Sequence, residues 1–113
     1  MKEIKAIIQP FMLQKVCDAL RAIDGLPGVT VSQVMGWGKG RGAGASETVE
    51  EGGCTFVRKT KLEVVVPAAI ADEVVTAIAA AARTGNMGDG KIFVHDLSEV
   101  VKIRTGDRGE GAI

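Results

Sequence analysis

The first residues, Lys2 to Gln9 (KEIKAIIQ), alternate in part, with Ile4, Ala6 and Ile8 on one side and Glu3, Lys5 and Ile7 on the other. That period of two predicts a strand. Pro10, which has no N–H to donate to a ladder, stops it. From Phe11 to Ile23 the apolar residues Leu13, Val16, Cys17, Leu20 and Ile23 return at the spacing of an amphipathic helix. Gly25, Pro27 and Gly28 end that helix. Residues 29 to 37 (VTVSQVMGW) are rich in β-branched side chains and predict a second strand, with Val29, Val31 and Gln33 on one side and Thr30, Ser32 and Val34 on the other. A third strand is expected over residues 55 to 66 (TFVRKTKLEVVV), its core side carrying Leu62, Val64 and Val66, with Pro67 as its stop. Ile70, Val74, Ile78 and Ala81, with Val75 and Ala82, trace a second helix that ends near Gly85. Lys91 to Val94 form a fourth strand after a glycine-rich turn, and Val100 to Ile103 add a short edge strand. The tail TGDRGEGAI is expected to be mobile in an isolated monomer.

The order β-α-β-β-α-β is the split-βαβ, ferredoxin-like plan: one α+β domain over residues 1–113, with an antiparallel sheet and two helices on one face. Ile7 and Val65 fall opposite the helix-facing set, so the other sheet face needs a cover, and association with further copies of the chain is the simplest one. The stretch from Gly36 to Gly53 fits neither periodicity. It holds Gly36, Gly38, Gly40, Gly42, Gly44, Gly52 and Gly53, with Ser46, Glu47, Thr48, Glu50 and Glu51, and has little apolar surface to bury. It reads as a long mobile loop over about residues 39–54. A loop of that length in a compact domain points to function.

Composition narrows the classes. The 113 residues carry 14 Lys plus Arg and 14 Asp plus Glu, a formal charge of zero that gives no reason to expect nucleic acid. Hydrophobic residues at 46% and charged ones at 25% match a folded globular chain. No apolar run reaches the roughly 18 residues of a membrane span. The start MKEIKAIIQPF lacks the long apolar stretch of a signal peptide, so a cytoplasmic location without membrane insertion is expected. Cys17 and Cys54 lack C-x-x-C spacing and read as reduced thiols.

The sharpest local motif is Gly85-Asn86-Met87-Gly88-Asp89-Gly90-Lys91. It satisfies G-x-x-x-x-G-K, yet Ile92 stands where a Walker loop needs Ser or Thr, and the order helix, loop, strand is the reverse of a Walker loop's. Closely spaced glycines nonetheless let backbone amides approach an anion, and Lys91 adds a point charge. A plain tight turn fits these residues equally well. The run Gly36-Trp37-Gly38-Lys39-Gly40-Arg41-Gly42 has no apolar-periodic helix after it, which excludes a dinucleotide fingerprint. Its glycines free the backbone, so Lys39 and Arg41 read as cations on a flexible arm. Arg58, Lys59 and Lys61 form one basic cluster, and Lys102, Arg104 and Arg108 another; each alone fits a solvated face. His95 is the only histidine, so one chain offers no multi-His metal site, and Glu50 and Glu51 are neighbours on a loop rather than a pair across a cleft. No catalytic constellation and no metal site emerge.

Nearly the whole chain resembles the PII signalling protein family. The resemblance is carried by Lys2, Ile4, Ala6, Ile7, Ile8, Pro10, Phe11 and Leu13, then by Val29-Thr30-Val31 and Gly36-Trp37-Gly38. It continues through Lys59-x-Lys61-Leu62-Glu63-Val64-Val65-Val66-Pro67, the specific block Thr84-Gly85-x-x-Gly88-Asp89-Gly90-Lys91-Ile92-Phe93-Val94, and Ile103-Arg104-Thr105-Gly106. It implies a homotrimer of ferredoxin-like subunits that binds ATP or ADP in the clefts between neighbours. It also implies a long loop that docks on a target membrane transporter or metabolic enzyme, making the protein a regulator and not an enzyme. Nucleotide contacts carried over by position are Ile7, Thr30, Gly36, Trp37, Gly38, Glu63, Val65, Gly88, Asp89, Gly90, Lys91 and Arg104. Lys39 and Lys102 stand where the family has Arg, which keeps the charge and loses the bidentate fork. Gly40 replaces the Gln that helps hold magnesium with ATP and 2-oxoglutarate, which calls magnesium and 2-oxoglutarate into question although Lys59 remains. Gly52 occupies the position of the modified Tyr, and a chain without Tyr has none to modify.

The resulting expectation is a PII-type sensor of ATP or ADP that acts through its glycine-rich loop in nitrogen regulation. The alternative is a PII-like regulator of another transporter, for example of bicarbonate, without 2-oxoglutarate sensing. Two further classes stand beside it: a small phosphotransferase with His95 as acceptor, and an interaction-only trimer with a vestigial site.

Overall fold

A computed structural model describes residues 1–38 and 48–113 of the chain. Strand β1 (Lys2–Ile8) leads through a 3-10 turn at Pro10–Met12 into helix α1 (Leu13–Arg21). Strands β2 (Thr30–Gly36), β3 (Thr48–Glu51) and β4 (Cys54–Val66) follow, then helix α2 (Ala68–Ala82), strand β5 (Gly90–Asp96) and a 3-10 turn at Glu110–Ala112. Four strands lie in the order β2-β4-β1-β5, with β3 paired to β4, and every pair is antiparallel. This is the ferredoxin-like arrangement expected from the element order.

The alternation along β1 and β4 decides which face is buried. Ile4, Ala6 and Ile8 of β1 and Leu62, Val64 and Val66 of β4 pack with Val16 and Leu20 of α1 and Val74 and Ile78 of α2 in one core. Both helices therefore cover the same face. At about 25 cal/mol per Å2 of apolar surface removed from water, each fully buried side chain of this size contributes about 1.5–3 kcal/mol. Thr60 is the one buried polar residue among those described, and its hydroxyl donates to Oε1 of Gln33, its cross-strand neighbour, at 3.3 Å.

Three expectations change. Residues 48–54 are not loop: Thr48–Glu51 pairs with Cys54–Val57 through a turn in which Gly52 and Gly53 have φ of +58° and +80°. Two consecutive residues in the left-handed region turn a hairpin tightly, and glycine occupies it without strain. The rest of the predicted loop lies outside the described residues. Val100 to Ile103 make no strand; a single bridge joins Val101 to Arg108. The tail is not free either, because Gly109 N–H donates to Val100 O at 2.9 Å and Ala112 is buried. Its glycines at 106 and 109 adopt φ of +75° and +84°, which lets the chain fold back on itself.

Candidate functional site

The end of the sheet formed by Ile8, Thr60 and Gly90 carries most of the expected contacts. There β5 pairs with β1 in the register Ile8↔Gly90 and Ile7↔Lys91. Gly90 has φ of +100°, and a Cβ at this position would lie 1.7 Å from the Ile7 carbonyl oxygen. Only glycine lets the loop lie this close to β1. Gly88, with φ of +91°, faces the Gln9 and Lys59 side chains. Lys59 Nζ donates to Gly88 O at 2.5 Å and to Gln9 Oε1 at 3.3 Å, so one ammonium ties together the end of β1, strand β4 and the loop before β5. Partial burial lowers the Lys59 pKa, with the negative charge of Asp89 acting in the opposite direction.

The loop is also held from within. The Asp89 carboxylate accepts from Thr84 N–H at 2.8 Å, from Gly85 N–H at 2.9 Å and from the Thr84 hydroxyl. Those donors, the Thr84 side chain first, hold the Asp89 carboxyl below its ordinary value. Asn86 N–H in turn donates to Thr84 Oγ1 at 3.2 Å. Neither Thr84 nor Gln9 was expected at the site. Thr84 carried a usable signal, a hydroxyl residue next to a glycine with a carboxylate five positions on, but its meaning depends on how sharply the loop turns.

Gly36, Trp37 and Gly38 leave β2 at this same end, since Gly36 pairs with Val57. The Trp37 ring stacks on Phe56 with centroids 5.1 Å apart and planes at 18°.

The remaining expected residues lie elsewhere on the chain. Thr30, Glu63 and Val65, with Glu3, Val100 and Ile113, line a recess of about 420 Å3 towards the opposite sheet end. Thr30 and Glu63 are cross-strand neighbours. Glu63 also pairs with Lys61, Nζ to Oε1, at 3.4 Å. Lys102 and Arg104 lie in the C-terminal turn, where Lys102 N–H donates to Asp107 O and Gly106 N–H to Lys102 O. Lys39 lies outside the described residues. Lys59 and Glu63 are four positions apart on β4, about 13 Å at the rise of a strand. One chain thus carries two groups of expected contact residues, apart on the sheet.

A sheet with both helices on one side and a glycine-built loop at one end, held by Lys59, defines a small α+β domain of the ferredoxin-like plan. Comparison with known proteins makes this specific. The family model for "Nitrogen regulatory protein P-II" matches residues 1–107. Relatives carrying that same name in Rhodospirillum rubrum and Rhizobium etli are 44% and 43% identical over 118 and 113 aligned residues, each alignment covering 100% of both chains. The nitrogen regulatory protein P-II 1 of Escherichia coli is 44% identical over 113 residues, again covering 100% of both. Among solved structures, Arabidopsis thaliana PII bound to citrate superposes with a TM-score of 0.77 at 41% identity, over 99% of this chain and 91% of that one. The chain belongs to the PII nitrogen regulatory protein family.

Proposed function

We propose that this protein is a PII-type signalling regulator that binds ATP or ADP in clefts between subunits of a homotrimer. Through the segment around residues 39–54 it controls a target transporter or enzyme in nitrogen regulation. The observation that carries the reading is the Gly88–Lys91 loop, laid on the end of β1 and flanked by Lys59 and Lys91. Backbone amides beside two ammonium groups suit the phosphates of a nucleotide. Thr30, Glu63 and Val65 line a separate recess further along the same face, and the family reading draws them from a neighbouring copy. Ile7, Val65 and the 44% exposed Phe93, which pairs with Lys5 on the face without helices, supply apolar area for such a neighbour.

Titration calorimetry with ATP and ADP, with and without magnesium and 2-oxoglutarate, tests this. Saturable nucleotide binding is expected. Protein free of bound ligand that takes up neither nucleotide would sink the proposal. Gly40, in place of the family's Gln, makes 2-oxoglutarate the informative addition: if it strengthens ATP binding, the nitrogen role stands despite that change, and if it has no effect the protein reports on nucleotide alone.

A further inference from the structure

We propose that Thr84 and Asp89 form a brace that presets the Gly85–Lys91 loop for the phosphate end of a nucleotide, so that Thr84 is a positioning residue of the site and the Asp89 carboxylate serves the loop rather than the ligand. The inference rests on the function proposed above. It starts from a conflict of charge: a carboxylate inside a polyphosphate site repels the ligand, and Asp89 lies between Gly88 and Gly90, at the centre of the loop. The conflict is resolved by what the carboxylate touches. Its two oxygens accept from Thr84 N–H, Gly85 N–H and the Thr84 hydroxyl. Hydrogen bonds to an ionised acceptor are the strong ones, and three of them hold the two ends of the loop together.

The same contacts sort the loop's amides into two sets. Those of Thr84, Gly85 and Asn86 are used internally, the last by the Thr84 oxygen. Those of Met87 and Gly88, inside the turn that joins Asn86 to Asp89, donate to no described residue and lie near Lys91 and the Lys59 ammonium on Gly88 O. An anion entering the loop thus meets amides that need no rearrangement, which is where preorganisation adds affinity. Thr84 contributes both as donor to Asp89 and as acceptor from Asn86, two roles that a hydroxyl fills and a methyl does not.

The test compares Thr84→Val and Thr84→Ser with the wild type, using ATP and AMP as paired probes. Thr84→Val is expected to weaken ATP binding about tenfold, the scale of a lost hydrogen bond to a charged group, and to leave AMP within about threefold. Thr84→Ser, which keeps the hydroxyl, is expected to bind ATP within about twofold of wild type. A second readout needs no ligand. In a carboxyl NMR titration, the Asp89 midpoint is expected to rise towards 3.8 in Thr84→Val and to stay low in Thr84→Ser. The charges facing Asp89 are Arg83 at the end of α2 and Lys59 on β4, and both are unchanged in these variants. If the wild type binds ATP and Thr84→Val binds it equally well, the brace is overturned alone. Equal losses for ATP and AMP overturn it too, because a general weakening of the fold acts on both. A wild type that binds no nucleotide overturns the proposed function and this inference with it.

Discussion

At the scale of single residues, glycine and aspartate carry the strongest constraints. Gly90→Ala forces both a positive φ and a Cβ into the Ile7 carbonyl. A stability loss of about 2 kcal/mol or more is expected by chemical denaturation. Gly106→Ala, with φ of +75° but nothing within 4 Å, is the control and should cost about 1 kcal/mol. The difference between the two isolates the close approach. Asp96 gives a pH prediction. Its contact with the Lys2 ammonium, as hydrogen bond and as ion pair, lowers its pKa from 3.8. A carboxyl depressed in the folded state contributes stability that is complete above its unfolded pKa and is lost as pH falls through the folded one. Asp96→Asn should therefore show a shallower loss of stability below about pH 4 than the wild type in acid unfolding. The shape of the candidate loop was legible at this scale where glycine marked it, at Gly88 and Gly90. Gln9 and Thr84 were not, because their roles depend on hydrogen bonds across a turn whose shape the sequence does not state.

Elements were legible where one face is buried and opaque where none is. Along β1 burial alternates even where polarity does not, Ile4, Ala6 and Ile8 buried between half-exposed Glu3, Lys5 and Ile7, and Leu62, Val64 and Val66 repeat the pattern on the paired strand. Ile78 of α2 is 1% exposed in that core, so Ile78→Ala should cost about 2–5 kcal/mol in equilibrium unfolding. Strand β3 escaped notice for the converse reason. Of Thr48, Val49, Glu50 and Glu51 only Val49 is partly buried, so no buried face imprints a period, and the strand rests on its turn and its pairing with β4. Thr55 Oγ1 adds a bond to Glu50 Oε1 across the hairpin at 2.5 Å. At the base of this hairpin Phe56 covers one side of Trp37, the only tryptophan in the chain. Phe56→Ala should expose that ring further and shift its fluorescence emission to longer wavelength. An unmoved emission maximum would contradict the stacked arrangement.

For the whole molecule, the helix-free face is where sequence and structure leave the same unfinished business. The apolar Ile7 and Val65 suggested a cover from residue order alone, and the sheet places Phe93 beside them. Phe93→Arg adds a charge there. If three copies meet on this face, sedimentation of the wild type gives three chain masses, and Phe93→Arg shifts the population towards single chains. A monomeric wild type would contradict the trimer. The geometry of β4 bears on how such an assembly would communicate. Its 13 residues serve three neighbours in turn: β3 along Cys54–Val57, β2 along Val57–Glu63 and β1 along Thr60–Val66. Val57 is paired on both sides, to Gly36 and to Thr48, so the hairpin grows out of the sheet without a joint. The Gly52–Gly53 turn and the lysine that holds the glycine loop are thus joined by one continuous ribbon. Like the tiller and the blade of a rudder, the two ends share one shaft, the backbone of β4 from Cys54 to Val66.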